Sequence, residues 1–358
     1  MASFVNATGE VTDGAILGMG NPLLDISAEV GDEILEKYDV KLNNAILAED
    51  KHLPIYEELK TNFQASGPTW ELKYHVEYIA GGATQNSIRV AQWMLGVAKA
   101  TSFMGCIGSD EFGAQLTEAA AKDGVDTHYQ VTPGRPTGTC AVLVKGGERS
   151  LVANLAAANH FVPAHLDTDK AKAMVEQSRV IYIAGFFLTV SLDSILTVGN
   201  HAVDNGKIFC MNLSAPFIVQ FFGDQLAAAL MYCDFVFGNE SEAAALGEAK
   251  EWGADLKQVA LRVAALPKAS GTRPRVVVFT QGAESTIVAC GGTVTEYAVE
   301  RLPQEALVDT NGAGDAFVGS WRSCCGGLGE KRDRGHWASR VVIQRSGCTF
   351  PETCDYQK

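Results

Sequence analysis

Near its carboxyl end the chain reads Val308-Asp309-Thr310-Asn311-Gly312-Ala313-Gly314-Asp315-Ala316-Phe317-Val318-Gly319. Two aspartates bracket a run of small, turn-forming residues, and glycine allows such a run to turn sharply. The apolar stretch after Asp315 starts a helix. The unpartnered N–H groups of its first turn, aided by the helix dipole, make an anion site without a lysine. Asp315, in that first turn, points at the same place. A carboxylate facing a bound phosphate can take the proton of an attacking hydroxyl. The spacing therefore predicts phosphoryl transfer. The plain alternative is that Asp309 or Asp315 only caps the helix.

Other nucleotide and hydrolase signatures are absent from the sequence. No lysine falls in a GxxxxGK[ST] frame, and Gly18-Met19-Gly20 is followed by Pro22 with no third glycine in place. There is no HExxH and no GxSxG. The nine cysteines form no CxxC pair and no metal-ligand spacing, as expected of small buried hydrophobes in a reducing compartment. A formal charge of −13 argues against nucleic acid or an anionic membrane as partner, so any phosphate must be held locally.

An apolar fraction of 47% with 20% charged residues suits a globular chain, and 358 residues suffice for one large core or two smaller ones. The elements that position the aspartates have two textures. Short runs apolar on both faces (Ala15 to Gly20, Val180 to Gly185, Ile208 to Leu213, Phe235 to Asn239, Val276 to Thr280) predict buried parallel strands. Helix-period patterns lie between them at Ser191 to Asn205, Gly223 to Met231 and Leu256 to Ala265. The alternation predicts a doubly wound, mostly parallel α/β sheet, with ligands beyond the carboxyl ends of its strands. In contrast, Leu23 to Val30, Tyr74 to Ile79 and Thr139 to Val152 alternate as a small half-exposed sheet does, which suits a lid. The stretch Asn62 to Trp70 reads as a surface loop.

Five further stretches extend the pattern around Asp315. They are Gly20-Asn21-Pro22-Leu23-Leu24-Asp25, Gly81-Gly82-Ala83-Thr84-Gln85-Asn86-Ser87, Arg149 to Asn159, Gly238-Asn239-Glu240-Ser241-Glu242 and Arg345 to Pro351. With Asp309 to Asp315 they resemble, in order and over nearly the whole chain, the ribokinase-like (PfkB) carbohydrate kinase family, and within it the adenosine kinases. The resemblance implies transfer of the γ-phosphoryl of ATP to the 5′-hydroxyl of adenosine with Mg²⁺. It implies a discontinuous large domain (1–21, 49–72, 83–135 and 159–358) and a lid (22–48, 73–82 and 136–158). It further implies Asp315 as base, Gly312, Ala313 and Gly314 as anion hole, and Arg149 as a lid arginine aimed at the phosphate. Asp25, Gly82 and Asn86 match ribose contacts, and Asn21 and Asn311 match further substrate-binding positions. Leu151, Ala153, Leu155 and Phe187 match the slot for the base, and the first three can line one wall because alternate strand residues face the same way. Asn239, Thr280, Gly282 and His336 match the ATP side. Asn239 and Glu242 match the element that organises Mg²⁺ through water; read alone, they are a helix cap and its first-turn acid.

Two stretches depart from the family pattern. Gln64 to Leu72 reads as an insertion in a surface loop. Ser320 to Arg334 lacks the leucines of the family's helix pair, and its Gly326-Gly327 and polar Gly329 to Arg334 predict a helix ending near Gly326, with a loop in place of the second helix. Two rival readings stand: a related nucleoside or sugar kinase, and a non-catalytic nucleoside-binding protein on the same scaffold. Met1 to Asp13 has neither a basic region nor an apolar core, so no signal peptide is expected, and no apolar run reaches membrane-helix length. A soluble, cytoplasmic monomer is the expectation.

Overall fold

The computed structural model describes residues 12–61, 63–66, 69–72, 74–271, 273–322 and 328–356. Its main layer is a nine-stranded sheet. The strands run, in spatial order, Thr293–Tyr297, Glu284–Cys290, Val276–Gln281, Phe235–Asn239, Ile208–Asn212, Val180–Ala184, Ile16–Met19, Thr101–Gly108 and Asp126–Thr132. From Val276–Gln281 onward every pairing is parallel; the two strands at the other edge are antiparallel.

Both faces of this sheet are covered, which explains the uninterrupted apolar runs. Leu17, Ile181, Ile183, Phe209, Met211, Val277 and Phe279 join one core. Their neighbours Ile16, Val180, Tyr182, Cys210, Val276 and Val278 join another on the opposite face. The predicted helices are present as Leu192–Asp204, Gly223–Leu230 and Leu256–Ala265.

The alternating segments form a separate five-stranded sheet, ordered Ala45–Leu47, Glu148–Asn154, Thr139–Lys145, Leu23–Glu29 and Val76–Gly81. Period-two alternation divides its side chains. Ile26, Ala28, Ala141, Leu143 and Val152 face a core shared with Ile34, Leu35, Ile55, Tyr56 and Leu59. Helix Pro54–Lys60 lies within 49–72, the span assigned above to the large domain. It packs on this small sheet, and Tyr56 Oη donates to the Val152 carbonyl at 2.7 Å. The opposite face, with Leu23, Asp25, Cys140, Arg149, Leu151 and Ala153, looks onto a cavity.

Two sequence expectations are corrected here. Within the Asn62 to Trp70 stretch, expected as a loop, the described residues are strands. Phe63–Ser66 and Thr69–Leu72 pair antiparallel, with Phe63 opposite Leu72 and Ala65 opposite Trp70. Apolar residues at alternate positions on both arms favour that hairpin. The second correction is that a helix, Leu328–Val342, stands where a loop was expected; the anticipated stop near Gly326 lies outside the described residues. The helix does not need to bury its polar residues. It packs through a stripe of Gly335, Ala338 and Val342, all buried, while Asp333 stays exposed. At Gly335 a Cβ would stand 2.7 Å from the Phe317 ring, so the missing side chain sets how closely this helix approaches Ala313–Arg322.

Candidate active site

The order of the large sheet reverses around Ile16–Met19, whose neighbours are Thr101–Gly108 and Val180–Ala184. Such a switch point opens a crevice at the carboxyl ends of the strands. A cavity of about 360 Å³ lies there, closed above by the inner face of the small sheet. Asn21, Ala184, Asn212 and Asn239, at or just beyond the strand ends, line it, as do Thr310, Asn311, Gly312, Gly314 and Asp315. Of the residues expected at the site, Asp25, Gly82, Asn86, Arg149, Leu151, Ala153, Leu155, Phe187 and Glu242 also line this cavity.

Asp315 stands in the first turn of helix Ala313–Arg322. That helix crosses Ala83–Leu95 almost backbone to backbone, because a Cβ on Gly319 would stand 2.3 Å from the Ser87 carbonyl oxygen. The crossing brings Asn86 Nδ2 to Asp315 Oδ2, to which it donates at 3.0 Å. Burial pushes the Asp315 carboxyl up to about 7, and the Asn86 bond acts against that rise. Asp25, on the small sheet, is likewise pushed up to about 7, first by burial and then by the Asp315 charge. Arg149 and a donation from Asn311 Nδ2 at 3.4 Å oppose that rise.

The turn before the helix is shaped by its glycines. Gly312 sits at φ +76°, with the space for a Cβ taken by Cys348. Gly314 differs: its φ is ordinary, and nothing lies within 4 Å of where a Cβ would stand. Neither backbone nor packing demands glycine there, so what the missing side chain preserves is the cavity itself. The Ala313 amide is committed to the Thr310 carbonyl at 3.3 Å, and Ala313 does not line the cavity. The Gly314 and Asp315 amides have no acceptor among the described residues. Gly314→Ala should therefore lower kcat/KM for the phosphoryl donor about tenfold or more. Its melting temperature should hold or rise, since alanine in a helix is worth up to about 1 kcal/mol over glycine. Thermal melts and kinetics on one preparation check this; unchanged kinetics would remove Gly314 from the anion site.

Arg149 reaches across from the small sheet to pair with Asp309, whose oxygens also accept from the Asn311 and Gly347 amides at 2.6 Å each. Burial draws the guanidinium down to about 10. Among the described residues its Nε and Nη1 find no acceptor, the Asn21 amide has neither acceptor nor donor, and the Asn86 Oδ1 has no donor. Unspent buried polar atoms on three side chains around one cavity call for a polar ligand.

Asn239 and Glu242 form a reciprocal helix cap. Asn239 Oδ1 accepts from the Glu242 amide and Glu242 Oε2 from the Asn239 amide, both at 2.9 Å. The cap and the site coincide, for both residues face the cavity. Burial raises the Glu242 carboxyl to about 7. No group of three or more His, Cys, Asp or Glu able to hold a metal occurs among the described residues.

Thr280, Gly282 and His336 lie off this cavity. Thr280 and Gly282 sit where Val276–Gln281 turns back into Glu284–Cys290. His336 faces inward, 2.9 Å from Thr286 Oγ1 and against the Phe317 ring, and burial draws its imidazole down to about 4. Sequence reasoning missed the wall formed by Asn43 to Leu47, and also Phe186, Asn212, Ser214 and Phe217. Asn212 ends a core strand and could have been found from that position; the others carry no local signal.

The pfkB family carbohydrate kinase model matches residues 46–354. Adenosine kinase 2 of Arabidopsis thaliana is 55% identical over 348 residues, covering 96% of this chain and 98% of that protein. The Anopheles gambiae adenosine kinase, solved with P1,P4-di(adenosine-5) tetraphosphate, has a TM-score of 0.89 and 47% identity, covering 95% of this chain and 99% of that one. The Schistosoma mansoni adenosine kinase with 2-fluoroadenosine has the same TM-score at 34% identity, over 95% of this chain and 98% of the other. By family model, end-to-end identity and shared fold, the chain belongs to the pfkB family of carbohydrate kinases, and within it to the adenosine kinases.

Proposed function

We infer that this protein transfers the γ-phosphoryl group of ATP to the 5′-hydroxyl of adenosine, releasing AMP and ADP. The observation that carries the reading is one cavity in which two of the lining carboxylates, buried Asp25 and half-buried Asp315, stand in different settings. Asp25 hangs from the small sheet, and Asp315 sits at a helix start with free amides beside it. An ionised carboxylate can accept from two adjacent hydroxyls, so Asp25 suits the 2′,3′-diol of a ribose, with Asn21, Gly82, Asn86 and Asn311 around it. Leu151, Ala153, Leu155 and Phe187 give the base an apolar slot.

With the sugar so held, the 5′-oxygen faces Asp315. Asp315 takes its proton as the new P–O bond forms, and the bond to the β-phosphate oxygen breaks to release ADP. A carboxyl near 7 is matched to that task at neutral pH. The Gly312 turn, the Gly314 and Asp315 amides and the helix dipole receive the charge on the transferring group. Arg149 adds its unspent N–H groups from above. Thr280 and Gly282 border the donor side, and His336 supports that wall from within.

Asn239 and Glu242 fit Mg²⁺ bound mainly by phosphate oxygens and water, since this ion keeps waters and takes few protein ligands. Asn239 and Glu242 would hold Mg²⁺ there through water, where it would neutralise charge on the donor phosphates. We place the enzyme in the cytoplasm as a monomer. Its described cysteines include buried free thiols at Cys106, Cys140, Cys233 and Cys348, as a reducing compartment leaves them. No helix of the described residues is long and apolar enough to cross a membrane.

ADP production with ATP and Mg²⁺, measured across adenosine, inosine, guanosine, ribose and fructose, tests the reading. Adenosine should exceed the free sugars by about 10²-fold or more in kcat/KM, because they leave the base slot empty. Equal rates with ribose or fructose would make the chain a sugar kinase. Nucleoside binding without ADP would make it a binding protein.

A further inference from the structure

The residue expected only to touch the sugar has a second bond. Asn86 is 3% exposed and lies in the first turn of Ala83–Leu95. Its Nδ2 is spent on Asp315 Oδ2 at 3.0 Å, while its buried Oδ1 has no donor among the described residues and the residue borders the cavity. One planar amide thus holds the carboxylate at one end and offers an open acceptor at the other. Its placement is rigid, because Gly319 brings the two helices into backbone contact beside it.

We propose that Asn86 is the positioning residue for Asp315, its amide linking a hydroxyl of the bound sugar, accepted at Oδ1, to the carboxylate held at Nδ2. The bond fixes one carboxylate oxygen and leaves the other to receive the 5′-hydroxyl proton. A hydroxyl donating to Oδ1 polarises the amide and strengthens the bond from Nδ2. The sugar then sets the basicity of the group that deprotonates it, so removing that hydroxyl costs turnover as well as binding.

Other groups face Asp315 as well: the Asp25 and Glu242 carboxyls, the Tyr182 hydroxyl and the Cys348 thiol. None of them donates a hydrogen bond to it among the described residues. Among the described residues, the bond from Asn86 is the one contact that favours the ionised form of Asp315 against burial.

The inference rests on the adenosine kinase reading. It is tested by pH–rate profiles of the intact enzyme and of Asn86→Ala and Asn86→Asp, with adenosine, 2′-deoxyadenosine and 3′-deoxyadenosine. In Asn86→Ala the acid limb of kcat/KM should move to higher pH, and kcat on the alkaline plateau should fall about tenfold or more. The kcat difference between adenosine and the analogue lacking the accepted hydroxyl should largely vanish in the variant. Asn86→Asp keeps the side-chain shape but removes the donor and adds a second carboxyl, so its acid limb should move further in the same direction. It serves if the alanine variant does not fold. A raised KM with an unmoved acid limb would overturn the proposal and leave Asn86 a simple sugar contact. A wild-type enzyme that produces no ADP from adenosine would instead overturn the reading beneath it.

Discussion

Asp315→Asn should abolish turnover while adenosine still binds, and the ligand-free variant should melt higher than the wild type at pH 8. The change is nearly isosteric, and the new amide oxygen can still accept from Asn86 Nδ2. Only the proton acceptor is lost, at a cost of about 10²–10⁴ in kcat. The stability half follows from burial. The folded carboxyl lies near 7 against an ordinary 3.8, raised by desolvation. A group whose value is raised on folding contributes stability in full below its unfolded value. That contribution drains away as pH climbs through about 7. Above that, the wild type carries a charge at a half-buried, desolvated position, which the amide does not. The gap in melting temperature should therefore be wide at pH 8 and close towards pH 4. Unchanged turnover would rule Asp315 out as the base, and a variant less stable at pH 8 would contradict the burial argument.

The sequence exposed the parts of this molecule whose cause is local. Val276–Gln281 reads as a core strand because both sheet faces are packed with apolar residues, and Leu23–Glu29 as a lid strand because one face packs on a core while the other borders the cavity. Asp315 is legible from the glycine turn before its helix and Asn239–Glu242 from its cap spacing, whereas Asp25 follows only from the resemblance to the family. Bonds between distant elements are not legible. Asn86 meets Asp315 across 229 residues, and the Arg149–Asp309 pair joins the small sheet to the turn before helix Ala313–Arg322. Nothing in either segment encodes its partner. Helix Leu328–Val342 escaped for a different reason. Its buried stripe is Gly335, Ala338 and Val342, and a rule seeking large apolar residues does not register a helix that packs by the absence of side chains. His336 sits in the family's pattern near the donor pocket, but its neighbours Thr286 and Phe317 turn it into the core.

The second large effect is expected at the sugar. Asp25→Ala should weaken adenosine by about 10²–10⁴ and leave the affinity for ATP nearly unchanged. Asp25 is 6% exposed and lies over Gly81, where a Cβ would stand 2.3 Å from its Oδ1; the glycine is what lets the carboxylate lie flat against the neighbouring strand. From there it can accept from both ribose hydroxyls, each bond to the charged acceptor being worth about 1.5–3 kcal/mol. An analogue lacking one hydroxyl separates this role from a general loss of fold. 2′-Deoxyadenosine makes one bond fewer to begin with, so the substitution should cost it only about 10–10². Stability should not confuse the result. Burial raises the Asp25 carboxyl to about 7, so above that pH its removal relieves a buried charge and the melting temperature should not fall. Equal losses for adenosine and 2′-deoxyadenosine, in a variant that melts like the wild type, would show that Asp25 does not hold the diol.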